Sequence, residues 1–266
     1  MDFRGFEVSA NVSMLFTELP YLDRFAAASR LGFTVVESWW PFSGPTASPA
    51  EVDLLVTALK SAGVSLSALN FYGGDIAGGE RGVASHPDRQ EELAANISLM
   101  VEIAERTGCR LFNVLYGQLD ARWTAAEQEA CAVEAIRSAA AAVAGVGGTV
   151  LIEPLTAGLN GAYPLLTATD VLGLLDGPLK DVPNLSLLFD TFHLASNGVD
   201  LVACASAVGA DLAHVQLADS PGRGEPGSGS VDFAGVLDAL RLAGYQGVVA
   251  AEYKPTVDTA SSLGWL

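Results

Sequence analysis

Short runs of apolar residues alternate along the chain with longer stretches whose apolar positions recur every three or four residues. The runs predict strands buried on both faces, and the longer stretches predict helices with one buried face. Phe6 to Asn11 is the first strand, and YLDRFAAASRLG after Pro20 is a helix stopped at Gly32. Phe33 to Glu37 is the second strand, Ala50 to Ala62 the next helix, and Val64 to Asn70 the third strand. Then come a helix from Asp88 to Thr107, a fourth strand at Leu111 to Leu115 and an alanine-rich helix from Thr124 to Val143. Thr149 to Glu153, Leu185 to Asp190, Leu212 to Leu217 and Gly247 to Glu252 bring the strands to eight. Helices at Thr167 to Leu175, Leu201 to Val208 and Asp232 to Ala243 separate or follow them.

Eight β/α units in 266 residues predict an α/β fold, a single (β/α)8 TIM barrel over residues 1–266. The rival is a doubly wound open sheet. A dinucleotide site is not indicated, because GGDIAGGERG lacks a strand, glycine fingerprint and helix in the required order.

In a parallel barrel all strand ends open on one face, so the last residue of each strand carries the most information. Those residues are Asn11, Glu37, Asn70, Asn113, Glu153, Asp190, Gln216 and Glu252, all polar. A carboxylate ending an apolar strand is costly unless paired, and 14 lysines and arginines against 31 acids leave few partners. A divalent metal would neutralise them. Glu153, Asp190, Gln216 and Glu252 offer oxygens, the donors preferred by Mg²⁺ or Mn²⁺; zinc would call for more histidine or cysteine. Helix capping or an ion pair explains any one of the four, but not the set.

Around these ends lie further candidates. His193, three residues beyond Asp190, is placed to meet the same cavity as a donor, whereas His214 shares a strand face with Gln216 and His86 reads as structural. The glycine- and proline-rich loop in HVQLADSPGRGEPGSG carries Arg223 and Glu225, and Asp219 within it requires a partner. Arg223 and Lys254 are candidate partners for a substrate carboxylate, with Asn70 and Tyr72 as further substrate contacts. Trp39, Trp40, Phe42, Phe71 and Tyr72 could wall a sugar-like ligand.

A net charge of −17 argues against nucleic acid or an anionic membrane and leaves small molecules and cations as partners. Cys109, Cys131 and Cys204 lack metal-ligand spacing and read as reduced thiols of a cytoplasmic protein. No leader-like or membrane-spanning apolar run is present, and a homo-oligomer stays open.

LIEPL, LFDTFH, HVQLADSPGRGEPGSG and AEYKP, with SANVSMLF at the start and GGERG in the third loop, resemble the hydroxypyruvate isomerase family of xylose isomerase-like TIM barrels. The resemblance implies a metal held by Glu153, Asp190, Gln216 and Glu252, with Glu153 and Glu252 also acting as the acid/base pair. Gln216, where related ketose 3-epimerases place a histidine, points to the hydroxypyruvate branch. PLTAGLNGAYPLL after Glu153 lacks the arginine many hydroxypyruvate isomerases have there and is closer to 2-oxo-tetronate isomerases. The expected reaction is isomerisation of a short hydroxy-carbonyl acid through an enediolate, hydroxypyruvate giving tartronate semialdehyde. A ketose epimerase, a metal-dependent nuclease and a non-catalytic ligand-binding barrel are the other readings.

Overall fold

The computed structural model describes residues 5–266. Residues 1–4, on which part of the leader reading falls, lie outside the described residues. Eight parallel strands close into a barrel in chain order: β1 (Val8–Asn11), β2 (Val35–Ser38), β3 (Ser65–Asn70), β4 (Leu111–Val114), β5 (Thr149–Ile152), β6 (Leu185–Asp190), β7 (Leu212–Leu217) and β8 (Val249–Ala251). β8 pairs with β1, through Val8 opposite Val249 and Ala10 opposite Ala251. The open-sheet rival is thereby set aside, since closure removes both edges.

The outer helices are α1 (Arg24–Arg30), α2 (Pro49–Ala62), α3 (Gln90–Thr107), α4 (Ala125–Ala144), α5 (Ala168–Asp176), α7 (Leu201–Val208) and α8 (Phe233–Leu242). Three of them start at capping boxes: Ser48 with Glu51, Thr124 with Glu127 and Thr167 with Asp170. In each, the hydroxyl accepts the third helical N–H while the acid returns to the cap's own N–H, so two otherwise orphaned donors are satisfied. Their apolar stripes, such as Val52, Leu55, Val56 and Leu59 on α2, face the barrel. Two short helices escaped the sequence reading: α6 (Thr191–Ser196) and α9 (Thr259–Ser262). Each is too short to display a 3.6-residue period; α6 is held by its cap, the Asp190 side chain. Among the described residues no helix is long and apolar enough to cross a membrane.

Within the barrel the strand period of two decides what faces inward. Ser9 reaches Ser67 across the interior at 2.9 Å, and the next inward position on β1 is Asn11 at the rim. On β7 the equivalent pair is His214 and Gln216, both buried. Polar residues stacked above one another toward the carboxyl ends therefore form the floor and mouth of a site.

Candidate active site

The strand-end residues meet in a chain of hydrogen bonds around the mouth. Gln216 Nε2 donates to Glu37 Oε1 at 2.9 Å, and Asn11 Nδ2 donates to the same oxygen at 2.8 Å and to Glu252 Oε1 at 2.9 Å. Trp39 Nε1 adds a second donor to Glu252 Oε1, at 2.6 Å. Opposite them, Asn113 Nδ2 donates to Glu153 Oε2 at 2.7 Å. β7, β2, β1 and β8 are thus joined by side chains, and β4 is joined to the end of β5. His214 lies below, its Nε2 against Glu37 Oε2 at 2.5 Å, as an interior residue rather than a substrate contact.

Arg223 enters from the loop after β7. Its NH2 nitrogen donates to Asp190 Oδ2 at 3.1 Å and to Glu252 Oε2 at 2.5 Å. One guanidinium thus serves two buried acids, and the shortage of cations counted in the sequence does not extend to this pair. Asp190 divides its oxygens: Oδ1 accepts the Phe192 and His193 N–H groups that begin α6, and Oδ2 faces Arg223. Helix capping and site formation are both done by one carboxylate.

His193 has a defined tautomer. The Thr156 backbone N–H, which can only donate, meets Nδ1 at 3.0 Å, so Nδ1 keeps its lone pair and the neutral ring carries its proton on Nε2. Burial, partly opposed by Asp190, pushes the His193 pKa down to about 4, which keeps the ring neutral at pH 7. Nε2 stands 3.8 Å from Glu153 Oε1 and 3.7 Å from Asp190 Oδ2, beyond hydrogen-bond range of either but close enough to share a third group with them.

The two glutamates are electrostatically unusual. Burial, with Asp190 adding its negative charge, pushes Glu153 up to about 8. Burial likewise raises Glu252 well above the ordinary carboxylate range, although Arg223 opposes the shift. A carboxyl poised as Glu153 is can hold or release a proton near neutral pH.

Atoms of Glu153, Asp190 and His193 all lie within 4.8 Å of one another, a grouping that could hold a metal ion, and its two carboxylates are the donors free to do so in this tautomer. Gln216 adds an independent sign of fit: its amide nitrogen is fixed on Glu37 while Oε1 is buried with no partner. A buried carbonyl oxygen without a donor is costly unless something electropositive meets it. With the His193 proton on Nε2, the donors left are oxygens, the set that suits a hard divalent cation.

Glu153, Glu252, His193 and Arg223 line a cavity of about 330 Å³, and Asn70 and Tyr72 line it as well. Trp39, Trp40, Phe42 and Phe71 form much of its apolar wall. Asp190 and Gln216 lie beneath, fully or almost fully buried. Two of the substrate-binding candidates do not reach the lining. Lys254 is exposed, and among the described residues its hydrogen bond is that of the backbone N–H to the Arg223 carbonyl at 2.7 Å. Glu225 accepts the Thr256 N–H at 3.0 Å and so ties the loop after β7 to that after β8. Asp219 found its partners in the N–H groups of Ser220, Gly227 and Val231, which set the shape of the loop.

Lining residues overlooked in the sequence include Arg81 from the loop after β3 and Asn160 from the loop after β5. GGERG held a signal for the first: a charged pair flanked by glycines, in a loop over the barrel mouth. Asn160 sits in a long loop with no pattern to mark it.

Residues 25–266 match the family model described as the xylose isomerase-like TIM barrel. A Streptomyces coelicolor protein provisionally named a hydroxypyruvate isomerase is 41% identical over 100% of this chain and 97% of its own. The 2-oxo-tetronate isomerase of Haemophilus influenzae is 30% identical over 97% of this chain and 96% of its own. Among solved structures, a Brucella melitensis protein titled AP endonuclease, family 2, superposes with a TM-score of 0.88 at 29% identity, covering 98% of this chain and 97% of that one. The chain belongs to the xylose isomerase-like TIM barrel family, among its hydroxypyruvate and 2-oxo-tetronate isomerases, and it is an enzyme of the isomerase class.

Proposed function

We propose that the chain moves a carbonyl to the neighbouring carbon of a short hydroxy-carbonyl acid, with hydroxypyruvate to tartronate semialdehyde as the leading reaction. The observation that carries this reading is the pairing of Glu153 and Glu252: two buried carboxyls with raised pKa values, held by different partners, lining one cavity. One carboxylate removes the proton from the hydroxyl-bearing carbon and the other, protonated, delivers one to the former carbonyl carbon, while the hydroxyl proton passes from its oxygen to the former carbonyl oxygen. The His193 Nε2–H, 3.8 Å from Glu153 and in the same cavity lining as both glutamates, is placed to donate to an enediolate oxygen. Asn11 and Trp39 hold Glu252, and Asn113 holds Glu153, so neither base has to be oriented during the reaction.

Glu153, Asp190, Gln216 and Glu252 are the residues that would hold a divalent cation, Mg²⁺ or Mn²⁺, with Gln216 Oε1 the donor already without a partner. When bound, the cation supplies positive charge against the reacting carbonyl and hydroxyl oxygens. A 2-oxo-tetronate is the second substrate reading, supported by the loop after Glu153 and by the activity for which the Haemophilus influenzae relative is named. A ketose 3-epimerase has less support, because Gln216 stands where such enzymes are expected to have histidine. Nuclease activity is disfavoured by the net charge of −17, which repels a phosphate backbone. Three free cysteines fit a cytoplasmic setting.

The test is a panel of hydroxypyruvate, a 2-oxo-tetronate and a ketose, assayed with Mg²⁺, Mn²⁺ and chelator. Cation-dependent turnover of an acid supports the reading. Turnover of the ketose alone, or of nothing by cation-loaded protein, overturns it.

A further inference from the structure

Arg81 is a cation in the cavity lining, and among the described residues none of its hydrogen bonds is to a carboxylate. Its Nε donates to Asn160 Oδ1 at 2.8 Å, and its NH1 donates to the Ile76 and Glu80 carbonyls at 3.0 and 2.7 Å. All three acceptors are neutral, and NH2 has no hydrogen bond among the described residues. Two carboxylates nearby have other partners: Glu80 meets Arg89 NH1 at 2.8 Å and accepts the Asp75 N–H at 2.5 Å, and Asp75, which also lines the cavity, accepts the Gly78 N–H through Oδ1 at 2.8 Å. In a chain carrying 31 acids against 14 lysines and arginines, a guanidinium facing a cavity and hydrogen-bonded to neutral acceptors is against the odds of composition. Arg223, the other guanidinium in the lining, already serves Asp190 and Glu252 through NH2, and its orphaned atom, Nε, is buried rather than open to the cavity.

The loop that carries Arg81 is built to hold it still. Gly82 bridges to Tyr116 and its N–H meets the Gly73 carbonyl at 2.8 Å. A Cβ at Gly82, where φ is +103°, would come within 2.2 Å of the Leu115 carbonyl oxygen. Gln118 Nε2 donates to the carbonyls of Gly79 and Asn160 at 3.1 and 3.0 Å, tying the loop after β3 to the one after β5. Asn160 is fixed in turn by its Nδ2, which donates to the Thr156 carbonyl at 3.0 Å, so its Oδ1 faces Arg81. Thr156 also sets the His193 tautomer, so the arginine and the histidine are oriented through one backbone segment.

We propose that Arg81, positioned by Asn160, anchors the carboxylate of the substrate and thereby selects acids over neutral sugars. The assignment rests on the isomerase reading for its substrate but not for its anion site. With the carboxylate at Arg81, the hydroxy-carbonyl end is left to Glu153, His193 and Glu252 on the same cavity. Arg223 is then a partner of the acids rather than the substrate's main grip. Charge-assisted bonds of this kind are strong, and a neutral ligand cannot form them.

The direct test is calorimetric titration of chelator-treated protein with malonate and with malonamide, its neutral counterpart, for the wild type, Arg81→Met and Arg81→Lys. Malonate should bind the wild type in preference to malonamide, weaken roughly 10- to 100-fold in Arg81→Met, and recover part of that in Arg81→Lys. Thermal melts confirm that each variant is folded. In turnover, Arg81→Met should raise KM for hydroxypyruvate far more than it lowers kcat. Failure of the wild type to prefer malonate, or equal malonate affinity in folded Arg81→Met, overturns the assignment. Because the titration needs no turnover, it decides the anion site even if none of the proposed substrates reacts.

Discussion

The Arg223 NH2 nitrogen donates to Glu252 Oε2 at 2.5 Å, and the same nitrogen serves Asp190 at 3.1 Å. The arginine is about a fifth exposed while its two acids are almost wholly buried, so it supplies counter-charge that water cannot. Arg223→Met should therefore cost about 3 to 5 kcal/mol of stability in chelator, the loss typical when one partner of a buried ion pair is removed. Millimolar Mn²⁺ should restore part of it, because a bound cation favours the folded state. Denaturant melts with and without Mn²⁺ check both statements; a loss under 1 kcal/mol that ignores Mn²⁺ would contradict them.

The raised pKa of Glu153 makes a signed prediction about pH. The folded carboxyl, near 8, binds its proton more tightly than the unfolded one, near 4.5. Its contribution to stability is complete below about pH 4.5 and is lost as pH rises through about 8. Glu153→Gln cannot lose a proton, so its stability relative to the wild type should climb between pH 4.5 and 8 and then level off. At ~1.4 kcal/mol per pH unit the full change is bounded at several kcal/mol, reduced by any relaxation around the charge. Parallel stability curves for the two metal-free proteins would refute the assignment of that shift.

Gln216 should act through its oxygen. Gln216→Met keeps the length of the side chain but removes the unpartnered Oε1 and the donor to Glu37, which retains Asn11 and His214. Mn²⁺ affinity should fall at least ~10-fold by titration, with a stability loss of about 1 kcal/mol. Unchanged affinity would remove Gln216 from the ligand set.

Gly82→Ala tests the loop that presents Arg81. The added Cβ would collide with the Leu115 carbonyl from a backbone conformation that L-residues seldom adopt. A loss of about 3 kcal/mol is expected, read as a lowered denaturation midpoint. A loss under 0.5 kcal/mol would mean the loop yields freely.

The sequence disclosed the barrel because parallel strands buried on both faces write themselves as apolar runs, and eight of them in this length leave few architectures. Glu153, Asp190, Gln216 and Glu252 stand out for the same reason: a polar residue closing such a run is conspicuous, and closure brings distant strand ends to one rim. Arg81 and Asn160 were less legible because loops have no period, so their distance from the mouth is set by hydrogen bonds such as those of Gln118. Lys254 illustrates the converse. It follows Glu252 by two and invites a role, yet its side chain is exposed and only its backbone serves the Arg223 loop. The engagement of Asp190 by both α6 and Arg223 depends on which oxygen faces which donor, which residue order does not encode.

The most direct measurement is exchange of the substrate's carbon-bound hydrogen with deuterated solvent, followed by NMR for the wild type, Glu153→Gln and Glu252→Gln. Cation-loaded wild type should incorporate deuterium into hydroxypyruvate, and each folded variant should do so about 10²- to 10⁴-fold more slowly. Exchange at the wild-type rate in both variants would contradict the claim that these two glutamates carry the proton.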